Sequence, residues 1–214
     1  MTLNLGADEL LTTTRSVRKR LDFDKPVSRE VLTECLEVAL QAPTGSNLQG
    51  WQWVFVDDQE KKKALGEIYR VSFEAYRNSK PPQFADDDPR TQQRERVVDS
   101  ASYLAERMGD APWLLVPCLE GSVEHGKEGG AGFWGSLLPA VWSYMLALRE
   151  RGLGSAWTTL HLVGEGEKQA ADVLGIPYEK YRQGGLFPIA HTKGTDFKRA
   201  KRLPAEQVTH WNSW

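Results

Sequence analysis

Two cysteines in 214 residues are too few and too far apart for a disulfide framework. Cys35 falls on the apolar face of a predicted helix and Cys118 at the end of the strand-like run LLVPC, so both read as buried free thiols. The four histidines, His125, His161, His191 and His210, make neither an HExxH pair nor a cysteine–histidine cluster, which excludes the usual zinc spacings. There is no GxSxG elbow, no GxxxxGK(S/T) phosphate loop and no GxGxxG after a strand; GGAGFWG at Gly129–Gly135 has the wrong spacing for a dinucleotide fingerprint. An excess of charge is also missing, since 27 Lys and Arg against 29 Asp and Glu leave a net charge of -2. That balance gives no general attraction for nucleic acid or for an acidic membrane surface, so basic residues must act in local clusters. The opening MTLNLGADELLTTTRS lacks a basic segment followed by an apolar one and a small-residue cleavage site, and the expectation is a cytoplasmic protein. The longest uncharged run, Gly132–Leu148, is borderline for a membrane span and carries a mid-run proline, so it reads as the core helix of a soluble protein. With no side-chain triad in view, any chemistry is assigned to a bound cofactor.

What is present fits one α+β domain over residues 1–214, with a sheet wrapped by helices and no internal repeat. Ser28 caps a helix whose stripe is Val31, Leu32, Cys35, Leu36, Ala39 and Leu40, and Pro43 sets its limit. Trp51–Asp57 alternates as a strand, Glu60–Asn78 reads helical, and Lys80–Arg94, with three prolines and three successive aspartates, reads as a surface loop that could act as a lid. A helix over Arg94–Met108 and a buried strand over Trp113–Leu119 follow. Leu137–Leu148 is apolar all round, which means a central helix or one at a subunit interface, with Gly152 closing it. Ser155–Leu160 reads as short and extended, Lys168–Leu174 as helical and Gly185–Lys193 as a strand.

Three polar stretches stand out. TTTRSVRKR places Arg15 and Arg18 three apart, hence on one face of a helical turn, with the Ser16 hydroxyl between them. FKRAKRLP collects Lys198, Arg199, Lys201 and Arg202 near the other end. Each run alone can be a solvated face; together, in a slightly acidic chain, they suggest termini converging on an anion whose oxygens suit guanidinium forks. The third stretch, APTGSNLQGWQW at Ala42–Trp53, offers the Thr44 and Ser46 hydroxyls and the Asn47 and Gln49 carboxamides beside Gly45. Those groups either cap a turn or meet the donor and acceptor edge of a ring such as a pyrimidinedione.

RSVR, the following DKPVS, APTGSNLQGWQW, GLGSAWTTL and the late KRLP, in that order and spacing, resemble the FMN-dependent nitroreductase superfamily, closest in look to its actinobacterial-type members. The resemblance implies a mainly antiparallel sheet wrapped by helices and an intertwined homodimer with two FMN sites at the subunit interface. It implies that the tail Phe197–Trp214 reaches the partner subunit. By position it implies FMN contacts from Arg15, Ser16 and Arg18 to the phosphate, ribityl or N1/O2 edge, and from Pro43, Thr44, Ser46, Asn47 and Gln49 to the ribityl and ring edge. Trp157, Thr158 and Thr159 fall by the dimethylbenzene or N5 side, and Arg199 or Arg202 by the phosphate. Thr14 stands where many relatives have a second arginine, which shifts phosphate binding toward the C-terminal basic run. The implied activity is a ping-pong transfer of electrons from NAD(P)H to a nitroaromatic, quinone or related small-molecule acceptor, with no nucleic acid or membrane partner, no metal, and no side chain acting as acid or base. A silent protein of the same fold that sequesters FMN is the competing reading. Tyr69, Phe84, Phe133 and Trp134 are candidates for a pocket wall or for packing.

Overall fold

The computed structural model describes residues 2–79, 84–85, 88–121 and 130–214. In chain order the elements are α1 (Ala7–Thr13), β1 (Leu21–Asp22), α2 (Arg29–Ala39), β2 (Trp51–Val56), α3 (Gln59–Asn78), α4 (Pro89–Arg107), β3 (Trp113–Glu120), α5 (Ala131–Gly135), α6 (Leu138–Glu150), β4 (Leu153–Ser155), α7 (Gly166–Leu174), β5 (Tyr181–Gln183) and β6 (Phe187–Thr192). All strand pairings are antiparallel, in the order β1-β6-β3-β2, with β4 also against β6 and β5 also against β3.

β3 is central because it is apolar on both faces, and its alternation sorts its side chains into two cores. Trp113, Leu115 and Leu119 face a core built with α2 and α6, whereas Leu114, Val116 and Cys118 face one built with α3, α4 and α7. Burial pushes the Cys35 thiol up to about 11 and the Cys118 thiol up to about 12, so neither is a ready thiolate. The apolar run at 131–150 has the length and composition of a span, but it breaks between α5 and α6. α6 buries Ala140, Val141, Tyr144, Met145, Ala147, Leu148 and Arg149, and leaves Trp142 exposed and Leu146 partly exposed.

Three local expectations are corrected. The loop expected over Lys80–Arg94 ends at Asp88, because Asp88 accepts from the Arg90 amide at 2.7 Å and Pro89 begins α4, whereas the helix was expected from Arg94. Residues 80–83, 86 and 87 of that loop, like Gly129 and His125, lie outside the described residues. Arg15–Arg18 is extended, not a helical turn: Ser16 pairs with Ser155 in parallel, and the Val17 amide donates to the Ser155 carbonyl at 2.8 Å. Pairing with β4 and burial of Val17 outweigh the weak local preference of an RSVR sequence. Of the expected extended segment Ser155–Leu160, only Ser155 belongs to a strand; Thr158 makes an isolated bridge to Leu186, and Leu160–Leu162 closes into a 3₁₀ turn.

Candidate functional site

The RSVR segment can run tightly along β4 because residue 154 is glycine. A Cβ there would fall 2.7 Å from Thr192 Cγ2 and 3.1 Å from Val17 Cβ, so any side chain would push the segment away. Held there, Arg15, Ser16 and Arg18 line an open cavity of about 220 Å³ with Ser100 of α4 and Phe197. The neighbouring cations are neutralised: Lys19 pairs with Asp99, and Arg20 with Asp196 at 2.5 Å. Among the described residues, Arg15 and Arg18 have no carboxylate partner. Arg15 donates to the Lys198 carbonyl, and its pKa is lowered first by burial and then by the charge of Arg202. Arg18 is half-buried, and its guanidinium makes no hydrogen bond or ion pair among the described residues; burial lowers its pKa, and the neighbouring Tyr69 phenol opposes that shift. A partly desolvated guanidinium without a counter-charge is costly to maintain for stability alone.

The C-terminal basic run reaches the same region. Arg202 and Lys201 line an adjacent groove of about 290 Å³ with Arg90 and Val97 of α4. The expected convergence of the two termini is therefore present in the fold, carried by Arg202. Arg199 is exposed and lines neither cavity.

The polar loop forms a 3₁₀ turn over Gly45–Asn47, and three of its non-glycine residues are left-handed, with φ of 51° at Ser46, 54° at Asn47 and 52° at Gln49. Such conformations cost on the order of 1 kcal/mol each and concentrate where a backbone is shaped for a ligand. The turn is held by Gly45 N–H donating to Ser136 Oγ at 3.0 Å and by Ser136 Oγ donating to the Gly132 carbonyl at 2.8 Å. Within the loop the Gln49 amide donates to Thr44 Oγ1 at 3.2 Å, and the Gln49 carboxamide donates to Asn47 Oδ1 at 3.1 Å. Thr44 therefore closes the loop onto Gln49, with no side-chain bond to the 3₁₀ turn that it precedes. The Ser46 hydroxyl has no internal hydrogen bond, and Pro43, Ser46, Asn47 and Gln49 are exposed. Ser136 was invisible to sequence reasoning, since it lies 91 positions away from the amide that it accepts from.

The third expected group divides. Trp157 donates its indole N–H to the Gly184 carbonyl at 2.9 Å and packs on Phe187. Thr158 is buried, and both its hydroxyl and its amide donate to the Leu186 carbonyl, at 2.6 and 3.3 Å. Thr159 is exposed. Of the aromatic candidates, Tyr69 is core packing beside Arg18, Phe133 and Trp134 pack edge to face on each other and against the α2–α6 core, and Phe84 lies under Arg90.

Behind this segment His161 is fully buried, with Nε2 3.2 Å from Gln183 Oε1 and no partner for Nδ1. The Gln183 carboxamide donates to the Glu167 carbonyl at 2.7 Å, so its oxygen faces the ring and accepts from Nε2–H. Burial pushes the His161 pKa down to about 4, against which the Gln183 hydrogen bond works only partly. Acid therefore protonates the unfolded chain first, at about pH 6.5. The stability from keeping His161 neutral is complete above that pH and drains as pH falls toward 4. Urea unfolding at pH 7.5 and 5.0 should differ by about 2 kcal/mol more in the wild type than in His161→Gln; equal differences would remove this group from the pH dependence.

Within one protomer, no hydrogen bond or ion pair among the described residues joins the Arg15–Arg18–Arg202 group to the Thr44–Gln49 loop, and none of the cavities above is lined by both.

The family model described as "Nitroreductase family" matches residues 11–191. The chain is 28% identical over 142 residues to an iodotyrosine deiodinase of Thermotoga neapolitana, a match covering 66% of this chain and 67% of that one. An iodotyrosine deiodinase structure described as bound to FMN and 3-iodo-L-tyrosine superposes with a TM-score of 0.70 at 22% identity, over 95% of this chain and 98% of that one. An FMN and NADPH-dependent nitroreductase from Sphigopyxis sp. strain HMH superposes with a TM-score of 0.69 at 23% identity, over 98% of this chain and 100% of that one.

Proposed function

The chain belongs to the nitroreductase family, and from that membership we propose that it is an FMN-dependent oxidoreductase passing electrons from NAD(P)H to a small nitroaromatic, quinone or related acceptor. The observation that carries the reading is the half-buried, unpartnered Arg18 beside Arg15 and the exposed Ser16 hydroxyl. This donor set fits FMN: guanidinium and hydroxyl donors suit a phosphate and a ribityl chain, and the strained loop presents the exposed Ser46 hydroxyl and the mutually bonded Asn47 and Gln49 carboxamides to a ring edge. When bound, FMN supplies the hydride and electron chemistry. Arg15 and Arg202 would take phosphate charge, and Ser16 would hold the ribityl side. Arg18 would present a fixed positive charge to an electron-rich edge without reorganising. Ser46, Asn47 and Gln49 would orient the ring, and Thr159 would offer its exposed hydroxyl.

The separation of the two half-sites supports a homodimer in which each site takes its basic half from one copy and its loop from the other. A groove of about 370 Å³ lined by Leu10, Val38, Ala42 and Leu146, with Trp142 exposed on the same helix, supplies apolar surface for such an interface. Leu146→Glu is expected to weaken dimerisation at least about tenfold and to release flavin in proportion. Sedimentation and absorbance read both, and a flavin-loaded monomer would contradict the shared site.

The deiodinase relatives favour a second acceptor class, halogenated phenols, reduced with loss of halide. Steady-state oxidation of NADPH and NADH with a nitrofuran, a quinone and 3-iodotyrosine separates these readings. Turnover of the first two supports the nitroreductase reading. Iodide release alone supports the deiodinase one, and flavin binding without turnover supports FMN sequestration.

A further inference from the structure

After β6 the chain leaves the body through a five-residue anchor rather than freely. The Lys193 amide donates to the Arg20 carbonyl at 2.8 Å, and Arg20 Nε donates to the Lys193 carbonyl at 2.9 Å. Arg20 also pairs with Asp196, Arg149 Nη2 donates to the Thr195 carbonyl at 2.9 Å, and Arg15 donates to the Lys198 carbonyl. At the centre is Phe197, its ring 4.2 Å from the Arg20 guanidinium carbon and 4.9 Å from that of Arg149, packed onto the cluster of Val17, Leu21 and Ala190.

Arg149 gives this anchor its interest. It is 4% exposed, and among the described residues no carboxylate forms an ion pair with it and its Nε and Nη1 have no hydrogen-bond partner. What offsets its burial is the Thr13 hydroxyl at 3.4 Å, the Thr195 carbonyl, the face of Phe197 and the nearby negative charges of Glu9 and Glu150. Of the groups in direct contact with it, the Thr195 carbonyl and Phe197 belong to the anchor. Those two contacts tie the buried cation to one path of the tail. Beyond the anchor, that path sets Arg202 close enough to Arg15 for their like charges to oppose each other.

We propose that Phe197, clamped between the Arg20 and Arg149 guanidiniums, is a positioning residue that fixes where the C-terminal basic run emerges, so that Arg202 joins Arg15 in receiving the terminal phosphate of the cofactor. This rests on the FMN reading above. The clamp acts through the path of the tail: it resists the repulsion between Arg15 and Arg202 until a phosphate dianion converts that repulsion into shared attraction. An effect transmitted this way is specific for the phosphate, and a general loosening of the fold is not.

FMN and riboflavin share a ring and a ribityl chain and differ in the phosphate, so their affinities for the full-length apoprotein distinguish the two cases. Phe197→Ala is expected to lower FMN affinity roughly tenfold, to leave riboflavin affinity within about twofold, and Phe197→Tyr, which keeps the ring, is expected to restore FMN binding. Equal losses for both flavins, or no loss for either, would overturn the inference. If Phe197→Ala does not fold, the wild type is tested instead by trypsin cleavage at Lys198–Arg202: FMN should slow it more than riboflavin does at equal saturation, and equal protection overturns the inference. A wild type that prefers FMN while Phe197→Ala keeps that preference sinks the clamp alone. A wild type that binds neither flavin removes the cofactor reading together with it.

Discussion

Arg18→Ala should lower FMN affinity roughly 100-fold, because a charge-assisted contact to a ligand in a partly desolvated site contributes about 2–3 kcal/mol. The size follows from the state of the guanidinium. The Arg18 guanidinium is half-buried, has given up part of its hydration, and among the described residues has neither hydrogen bond nor ion pair with which to recover it. A bound anion or electron-rich ring edge would supply what is missing, whereas Lys19 and Arg20, already paired with Asp99 and Asp196, have less to gain. Arg18→Lys should recover only part of the loss, since an ammonium keeps the charge without the planar fork. Flavin retained through desalting, followed by titration of the apoprotein, checks both. Unchanged flavin content and reduction rate in Arg18→Ala would remove Arg18 from the site.

The second large effect concerns stability. Gly166 opens α7, and a Cβ on it would fall 2.3 Å from the His161 carbonyl oxygen, with Ile68 Cγ2 a further 3.3 Å neighbour. Alanine gains up to about 1 kcal/mol over glycine inside a helix. A backbone oxygen cannot swing aside like a side chain, so relief requires the 3₁₀ turn at Leu160–Leu162 to part from α7. Overpacking of this kind costs about 3 kcal/mol, which leaves a net loss of about 2 kcal/mol after the propensity gain, and Gly166→Ala should melt about 4–8 °C below the wild type. An unchanged or raised melting temperature would mean that the turn and α7 are not packed this closely. The Thr159 face leads directly into this turn, so flavin binding should weaken in the same variant.

Much of the fold was legible because its strongest signals are periodic. WLLVPCL and WQWVFV read as strands and pair residue for residue, Trp51 with Leu119 through Val56 with Leu114. The α2 stripe buries Leu32, Cys35 and Ala39 as its spacing predicts. The elements that escaped are short or sparse: α1 has seven residues and buries only Thr13, and β1 and β5 have two and three residues and exist by pairing alone. RSVR was misread for a related reason. Spacing of three allows a helical face, but the carbonyl of Ser155, which decides otherwise, is far away in sequence.

The candidate site divides along the same line. Convergence of Arg15 and Arg202 followed from where the basic residues sit in a chain of nearly balanced charge. The double nature of the polar loop could not be resolved from its composition; in the fold Thr44 closes the loop by accepting from the Gln49 amide, and the Ser46 hydroxyl has no bond among the described residues. Ser136, Ser100 and Phe197 carried no signal of their own, since each is an ordinary residue that matters through a neighbour distant in sequence.

The most direct test of the oxidoreductase reading is the visible spectrum of the purified protein before and after NADPH is added without oxygen. The expected result is a yellow protein whose flavin bands bleach on mixing and return when a nitroaromatic or quinone follows. A colourless protein that takes up no FMN, or a yellow one whose bands stay unchanged with NADPH and with NADH, would contradict it.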